Sequence, residues 1–403
     1  MNSGRVLIDQ ICDTIILFGI VFLILALPMG GKAAVKAWGL LLPLAAWFVK
    51  MFNNKKLLFE KTPVDMSFAA VFIVILLSCI ISIRPPYSIQ EFQHEFLCHF
   101  TLFYIITSNI KKDFQFKTLL WSIIIGYSWV AIYGIAGYYM GFGIQSDDMV
   151  RRRAKSVMGH PGEAAFTFAL IIPLVMGVCI YEKKKTKKII LCIFILISSF
   201  FLVLTFSRGG WIGTGIALVF IFFKRRTKLL FLLLGLMLLI SPFVPKMVIQ
   251  RITTTTIGDR VFLWKSAICM IADHPLLGIG YGNRNYQQLY PQYSFYGIQE
   301  GNLQNAHNFY LQILVEMGIL GGLAFLSLFK AIILSTWKTF QKDSGPFRKG
   351  VLLGGLGTII AFLIFSTTTW RYENDIALLF WIIISILIAI HINKETVTGS
   401  PEF

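Results

Sequence analysis

The chain is divided into apolar runs long enough to cross a bilayer, and this limits its fold more than any other feature. Inside hydrocarbon every backbone N–H and C=O must find a partner within the protein, so only helices and closed barrels span it. A helix does so with about 20 mostly apolar residues. Such runs recur near 12–28, 33–52, 63–83, 91–109, 115–141, 163–181, 189–206, 210–223, 229–246, 309–337, 350–368 and 375–392. The expected fold is therefore an all-α polytopic membrane protein with about twelve transmembrane helices. Composition agrees, since 56% of residues are hydrophobic and only 14% are charged, well outside the balance of a soluble chain. The first run is too long for a removable signal peptide and lacks a small-residue cleavage site.

One long break interrupts the pattern. Residues 1–246 hold nine of the runs, 247–308 form a polar, aromatic and Gly-rich loop, and 309–394 hold the last three. A tail, 395–403, follows, and its end, Gly399-Ser400-Pro401-Glu402-Phe403, looks like a cloning remnant. Short basic loops stay in the cytoplasm. Lys55-Lys56, Lys111-Lys112, Lys183-Lys184-Lys185, Lys224-Arg225-Arg226 and Arg348-Lys349 lie in alternate loops. Both termini are thus expected in the cytoplasm, with the long loop outside.

The formal net charge of +17 then divides in two. The inner side is mostly lysine. The outer side is mostly arginine: Arg84, Arg151, Arg152, Arg153, Arg208, Arg251, Arg260, Arg284 and Arg371. Arginine presents a planar, permanently charged fork that matches phosphate oxygens bidentately. An anionic ligand, a lipid-carrier phosphate above all, fits that face. The alternative is a set of arginines snorkelling to lipid headgroups.

Three positions stand out. Arg208 lies in Phe206-Ser207-Arg208-Gly209-Gly210-Trp211, where one run ends and the next begins. The glycines permit a tight turn, and a charge at that depth marks function more often than not. Arg260 opens the stretch Asp259-Arg260-Val261-Phe262-Leu263-Trp264, in which Val261, Trp264, Ile268 and Ile271 recur at helical spacing. Asp259 suits an N-cap and Pro275 a stop, so a surface helix is expected with Arg260 beside free N–H groups. His307, in Asn305-Ala306-His307-Asn308, precedes the next apolar run. A helix N-terminus disfavours charged imidazole and keeps it available as a base.

Other signals are weaker. His160, after the Arg151–Arg153 cluster, has the alternatives of a ligand mouth or plain loop chemistry. Gly278-Ile279-Gly280-Tyr281-Gly282 lacks the strand–helix context of a nucleotide site and reads as a compact turn. Tyr281, Tyr286, Tyr290, Tyr293 and Tyr296 crowd one segment, as interface tyrosines or as sugar-stacking platforms. Asp147-Asp148 is too slight a signal for a metal, and the first outward loop, Pro28-Met29-Gly30-Gly31, holds no acid. Six scattered cysteines form no C-x-x-C. No metal, cofactor or nucleic acid is expected.

These stretches together resemble the bacterial O-antigen ligase and polymerase superfamily. The resemblance rests on Thr205 to Trp211, on Asp259-Arg260 with Trp264, on Asp273-His274-Pro275-Leu276-Leu277-Gly278-Ile279-Gly280-Tyr281-Gly282-Asn283, and on Ala306-His307-Asn308-Phe309-Tyr310-Leu311-Gln312 through Glu316-Met317-Gly318. It implies a C-type glycosyltransferase-like architecture in the bacterial inner membrane, with a helical periplasmic loop and a metal-independent, inverting transfer on the periplasmic face. The implied donor is a glycan on undecaprenyl pyrophosphate and the implied acceptor is lipid A–core oligosaccharide, among membrane lipids. Arg208, Arg260 and His307 occupy the family's functional positions. Asp375, with Glu373 as its rival, matches an acid that some ligases need, and Arg151, Arg152, Arg153 and Tyr281 join as substrate contacts. A polymerase using the same donor is the alternative within the superfamily. A lipid-linked oligosaccharide flippase is the alternative outside it, although that would place charge along a central cavity rather than at the outer ends of spans.

Overall fold

The structure is a computed structural model that describes residues 2–29, 33–147, 151–225, 258–295, 305–343, 345–369 and 374–398. Helices dominate it. They are α1 (Asn2–Ala26), α2 (Ala33–Asn54), α3 (Asp65–Ile80), α4 (Pro85–Glu91), α5 (Cys98–Asn109), α6 (Asp113–Met140) and α7 (Pro161–Tyr181). After them come α8 (Lys185–Leu204), α9 (Arg208–Arg225), α10 (Gly258–Asp273), α11 (Asn283–Tyr293), α12 (Phe309–Lys342), α13 (Pro346–Phe365) and α14 (Asn374–Thr398). A wide turn of π-helix, Phe92–Leu97, joins α4 to α5.

Eight helical stretches among the described residues are long and apolar enough to cross a membrane, so the chain is a multi-pass membrane protein. They coincide with the runs expected near 12–28, 33–52, 115–141, 163–181, 189–206, 309–337, 350–368 and 375–392. The runs at 63–83, 91–109 and 210–223 also form helix, as α3, α4–α5 and α9. These fall short of that length or apolarity. The run at 229–246 lies outside the described residues. One departure from an all-α chain is a two-stranded antiparallel ribbon, β1 (Ile144–Asp147) with β2 (Arg151–Ala154), in register Ile144 to Ala154 and Asp147 to Arg151.

Lipid offers helices no hydrophobic drive to associate, so close backbone packing must hold them. The crossing of α7 and α13 shows how. A Cβ on Gly177 would sit 2.3 Å from the Gly354 nitrogen, and one on Gly354 would sit 2.3 Å from the Leu174 oxygen. Gly350 and Gly354, one turn apart, give α13 a groove into which α7 settles. The Thr358 hydroxyl donates across the same crossing to the Leu170 carbonyl at 2.8 Å. Aromatic rings fill the space between α12, α13 and α14: Phe362 stacks on Phe380 at 4.0 Å and on Phe329 at 5.5 Å. Such pairs add about 0.5–1.5 kcal/mol each beyond area burial.

Helix α12 is not the single span that its apolar run predicts. Gly318 breaks it, with φ 62° and ψ −165°. A break in lipid strands backbone groups at some cost, and here the segment after α10 satisfies them. Ile319 and Leu320 donate to the carbonyls of Pro275 and Leu276 at 2.8 and 3.3 Å, while Ile279 and Gly280 donate to those of Val315 and Glu316 at 2.9 and 3.2 Å. The glycines make the approach possible. A Cβ on Gly318 would meet the Leu276 carbonyl carbon at 2.2 Å, and one on Gly278, itself at φ +72°, would meet the Val315 oxygen at 2.4 Å. The compact turn expected at 278–282 is thus a segment docked on a broken membrane helix.

Candidate functional site

Arg208 starts α9 directly after the tight turn that ends α8. Phe206 takes a positive φ of 51° to make that turn, and the Trp211 indole donates to the Leu202 carbonyl at 3.1 Å to hold it closed. A Cβ at 209 would stand 2.5 Å from the Thr368 hydroxyl, which would have to turn away to admit it. The arginine is half-buried at a helix N-terminus, a place that already favours anions. Arg153 reaches the same turn, its Nε donating to the Thr205 carbonyl at 3.0 Å. The ribbon strand β2 is thereby pinned beside Arg208. The side chains of Arg151 and Arg152 lie outside the described residues.

Arg260 sits in the first turn of α10. Burial pushes its guanidinium below the ordinary value, and the charge of Arg208 adds to the shift. Two cations far apart in sequence are therefore close enough to repel each other. The apolar face of α10 is turned relative to expectation. Leu263, Ala267 and Met270 are its buried stripe, Trp264 and Ile271 pack partly against it, and Ile268 is exposed. Small Ala267 is fully buried in that stripe. Asp259, expected as the cap, has its side chain outside the described residues, as has Arg251.

His307 stands just before α12, on the turn that starts the helix. Asn308 caps α12, its side chain accepting from the amides of Tyr310 and Leu311 at 3.0 and 3.2 Å. The histidine has a positive φ of 46°, a conformation that costs about 1–3 kcal/mol outside glycine and gathers at functional sites. Two contacts hold it there. Its amide donates to the Asn305 carboxamide oxygen at 2.8 Å, and the preceding amide, Ala306, donates to the Gln312 carboxamide oxygen at 3.1 Å.

The Gln312 contact belongs to a larger clamp that sequence reasoning did not identify. The Gln312 nitrogen donates to one oxygen of Glu316 at 2.6 Å, and the Gly282 amide donates to the other at 3.0 Å. One buried carboxylate on the broken helix thus ties the docked glycine segment to the turn bearing His307. The available signal was Glu316 itself, an acid within an apolar run. Beside the clamp lies a cavity of about 360 Å³, enclosed by α3, α4–α5, the docked segment, α12, α13 and α14. Tyr281 forms part of its wall and donates to Glu95 at 3.3 Å. Burial raises the Tyr281 phenol well above its ordinary value, with the carboxylates of Glu95 and Glu316 adding to the effect.

The remaining expectations find plainer places. Asp375 pairs with Lys36 of α2 at the start of α14; Glu373 and Arg371 lie outside the described residues. His160 caps α7, its Nδ1 accepting from the Gly162 amide at 2.9 Å. Tyr286 and Tyr290 stack at 5.7 Å inside the core under α10, and the Tyr293 hydroxyl donates to Asp273 at 2.6 Å; Tyr296 lies outside the described residues. Most of the tyrosine cluster is therefore packing. Asp148 is also outside the described residues.

Comparison with known proteins converges on this part of the chain. Residues 193–326 match the family model described as O-antigen ligase. That stretch contains Arg208, Arg260, the docked glycines, His307 and Glu316. The chain is 24% identical over 344 residues to an O-antigen ligase of Salmonella typhimurium, covering 79% of this chain and 80% of that protein. It is 26% identical over 268 residues to a putative polysaccharide ligase of Rickettsia bellii, covering 63% of this chain and 64% of that one. Residues 193–326 thus match the O-antigen ligase family model, and the chain that carries them is similar to proteins named as O-antigen and polysaccharide ligases.

Proposed function

We propose that the protein is an O-antigen ligase: a metal-independent, inverting glycosyltransferase that moves a glycan from undecaprenyl pyrophosphate to lipid A–core oligosaccharide. The reaction runs on the periplasmic face of the inner membrane. One observation carries the reading. Arg208 and Arg260 are held within reach of each other's charge although both are half-buried. Two guanidinium groups brought together in a partly desolvated place form a strongly positive site, and a diphosphate offers oxygens that suit both forks.

The chemistry follows from the positions. An acceptor hydroxyl attacks the anomeric carbon, a new C–O bond forms, and the C–O bond to the pyrophosphate breaks. His307 takes the hydroxyl proton. The charge that grows on the departing diphosphate falls to Arg208 and Arg260, which are set in place before the reaction begins. Direct displacement needs no covalent enzyme intermediate and inverts the anomeric centre. Reconstitution with a defined lipid-linked glycan and two acceptors, lipid A–core and a second lipid-linked repeat, tests the assignment. Transfer to lipid A–core is expected. Transfer to the lipid-linked repeat alone would make the protein a polymerase, and movement of the donor across the bilayer without transfer would make it a flippase.

A further inference from the structure

A second cavity lies at the far end of the bundle. Helix α13 measures the distance. It starts where Arg348 donates to Asp113 at 2.7 Å and ends where the Ser366 carbonyl accepts from the Phe309 amide at 3.0 Å. Its 20 residues span about 30 Å at roughly 1.5 Å each. His307 lies just before Phe309, and Gly209, next to Arg208, sits against Thr368 at that same end. Asp113 follows Lys111 and Lys112, which line the second cavity. The two sites therefore face opposite leaflets.

This cavity, of about 280 Å³, is framed by α1, α2, α5, the start of α6 and the non-helical segment between α2 and α3. Nine of its twelve lining residues are charged or polar, and the other three, Leu57, Leu58 and Phe59, lie on that segment. Four lysines, Lys50, Lys56, Lys111 and Lys112, face two carboxylates, Asp13 and Glu60. Lys50 pairs with Asp13, and Lys111 with Glu60. Lys56 and Lys112 have no carboxylate partner among the described residues, so two positive charges are left over. The buried Ser108 hydroxyl also lines the space. It accepts from the Glu60 amide at 3.2 Å, and its proton has no acceptor among the described residues. The frame is fixed without a ligand. Lys50 donates to the buried Asn109 carboxamide oxygen at 3.1 Å, and the Gln115 carboxamide oxygen accepts from the amides of Lys111 and Lys112, both at 2.9 Å.

The rim narrows the choice of anion. Leu57 is 75% exposed and Phe59 50%, and Phe114, two residues after Lys112, is 56% exposed. Large apolar side chains grouped beside lysines mark the boundary between hydrocarbon and headgroups. A free phosphate would use the lysines alone. A phospholipid uses both, with its phosphate on the ammonium groups and its chains along the apolar rim.

We propose that this cavity binds the headgroup phosphate of an anionic phospholipid, in the leaflet opposite Arg208 and His307, through Lys56, Lys112 and the Ser108 hydroxyl. Its volume is close to the small end of ligand sites, which run from roughly 300 to 1,000 Å³. The headgroup enters and the acyl chains stay outside.

The full chain in a neutral detergent is titrated with phosphatidylglycerol and with phosphatidylcholine, and bound lipid is counted by native mass spectrometry. Inorganic phosphate and glycerol 3-phosphate are offered as competitors. One phosphatidylglycerol should be retained per chain and bind at least about tenfold more tightly than phosphatidylcholine, as two unpaired charges allow. Lys56→Gln and Lys112→Gln change exposed side chains, and each should weaken phosphatidylglycerol by about fivefold, the worth of one lysine near a headgroup. Lys183→Gln and Lys187→Gln alter the same membrane face outside the cavity and should change binding by less than about twofold. An equal loss in that second pair, equal retention of phosphatidylcholine, or displacement of phosphatidylglycerol by an equal concentration of inorganic phosphate or glycerol 3-phosphate would each overturn the proposal. Binding is read without donor or acceptor, so the result holds whichever reaction the arginine end performs.

Discussion

The arginine end of the site and the glutamates of the neighbouring cavity wall are built in opposite ways. Arg208 and Arg260 stand in the first turns of α9 and α10, where free N–H groups already supply positive potential. The glutamates stand within helices, one beside the break in α12 and two on the α4–α5 rod at a spacing of one turn. Charge at a helix start is cheap to place and open to exchange with a ligand. Charge within a helix is costly, so each acid is tied into hydrogen bonds, as Glu316 is to Gln312 and Gly282. On the proposed function the first region receives the departing diphosphate, while the second holds the docked segment to α12.

Substitutions can break or sharpen that contrast. The largest effect belongs to the group between the two regions. His307→Ala should lower kcat by about 10²–10⁴-fold, the usual contribution of a general base, with expression and membrane insertion intact. Undiminished turnover would remove His307 from that role. Next comes Arg208→Lys, which keeps the charge and loses the fork. It should cost about 10²-fold in kcat, comparable to losing one preorganised donor, and wild-type turnover at unchanged donor affinity would refute the diphosphate assignment.

The frame should respond differently. Glu316→Ala leaves the Gly282 amide and Gln312 nitrogen without their acceptor, at about 1–3 kcal/mol for each buried group. It should lower thermal stability as well as kcat, whereas Glu316→Gln keeps one acceptor and should lose less of both. A Glu316→Ala variant as stable as wild type would deny the clamp any structural role. Smallest of all is chelation. Extensive EDTA treatment should leave transfer unchanged. Loss restored by magnesium would instead direct attention to Asp147 and Asp148.

Much of the membrane fold could be read in advance because a span must be long and apolar, and length and apolarity are visible in sequence. Arg208, Arg260 and His307 drew notice in the sequence for a related reason, charge or imidazole beside an apolar run, and their roles are those the proposed function assigns. What escaped notice depends on distant partners. Nothing near Gly318 announces that Pro275 and Leu276 will satisfy the broken helix. The cavity draws its walls from helices that are remote in sequence, so no window of residues contains it. The face of α10 was misjudged because large apolar residues catch the eye, while the buried stripe runs through the small Ala267 and leaves Ile268 exposed.

The break at Gly318 has a consequence for how the molecule is made. During synthesis the segment 275–280 emerges from the ribosome before α12 does. When the second half of α12 enters the bilayer, the amides of Ile319 and Leu320 have no partner within the helix just made, and that segment must already be in place to meet them. A helix that depends on its own preceding loop cannot complete insertion alone. Removing the segment 275–280 should therefore leave α12 half-inserted, and the chain should be recognised by quality control before catalysis is at issue.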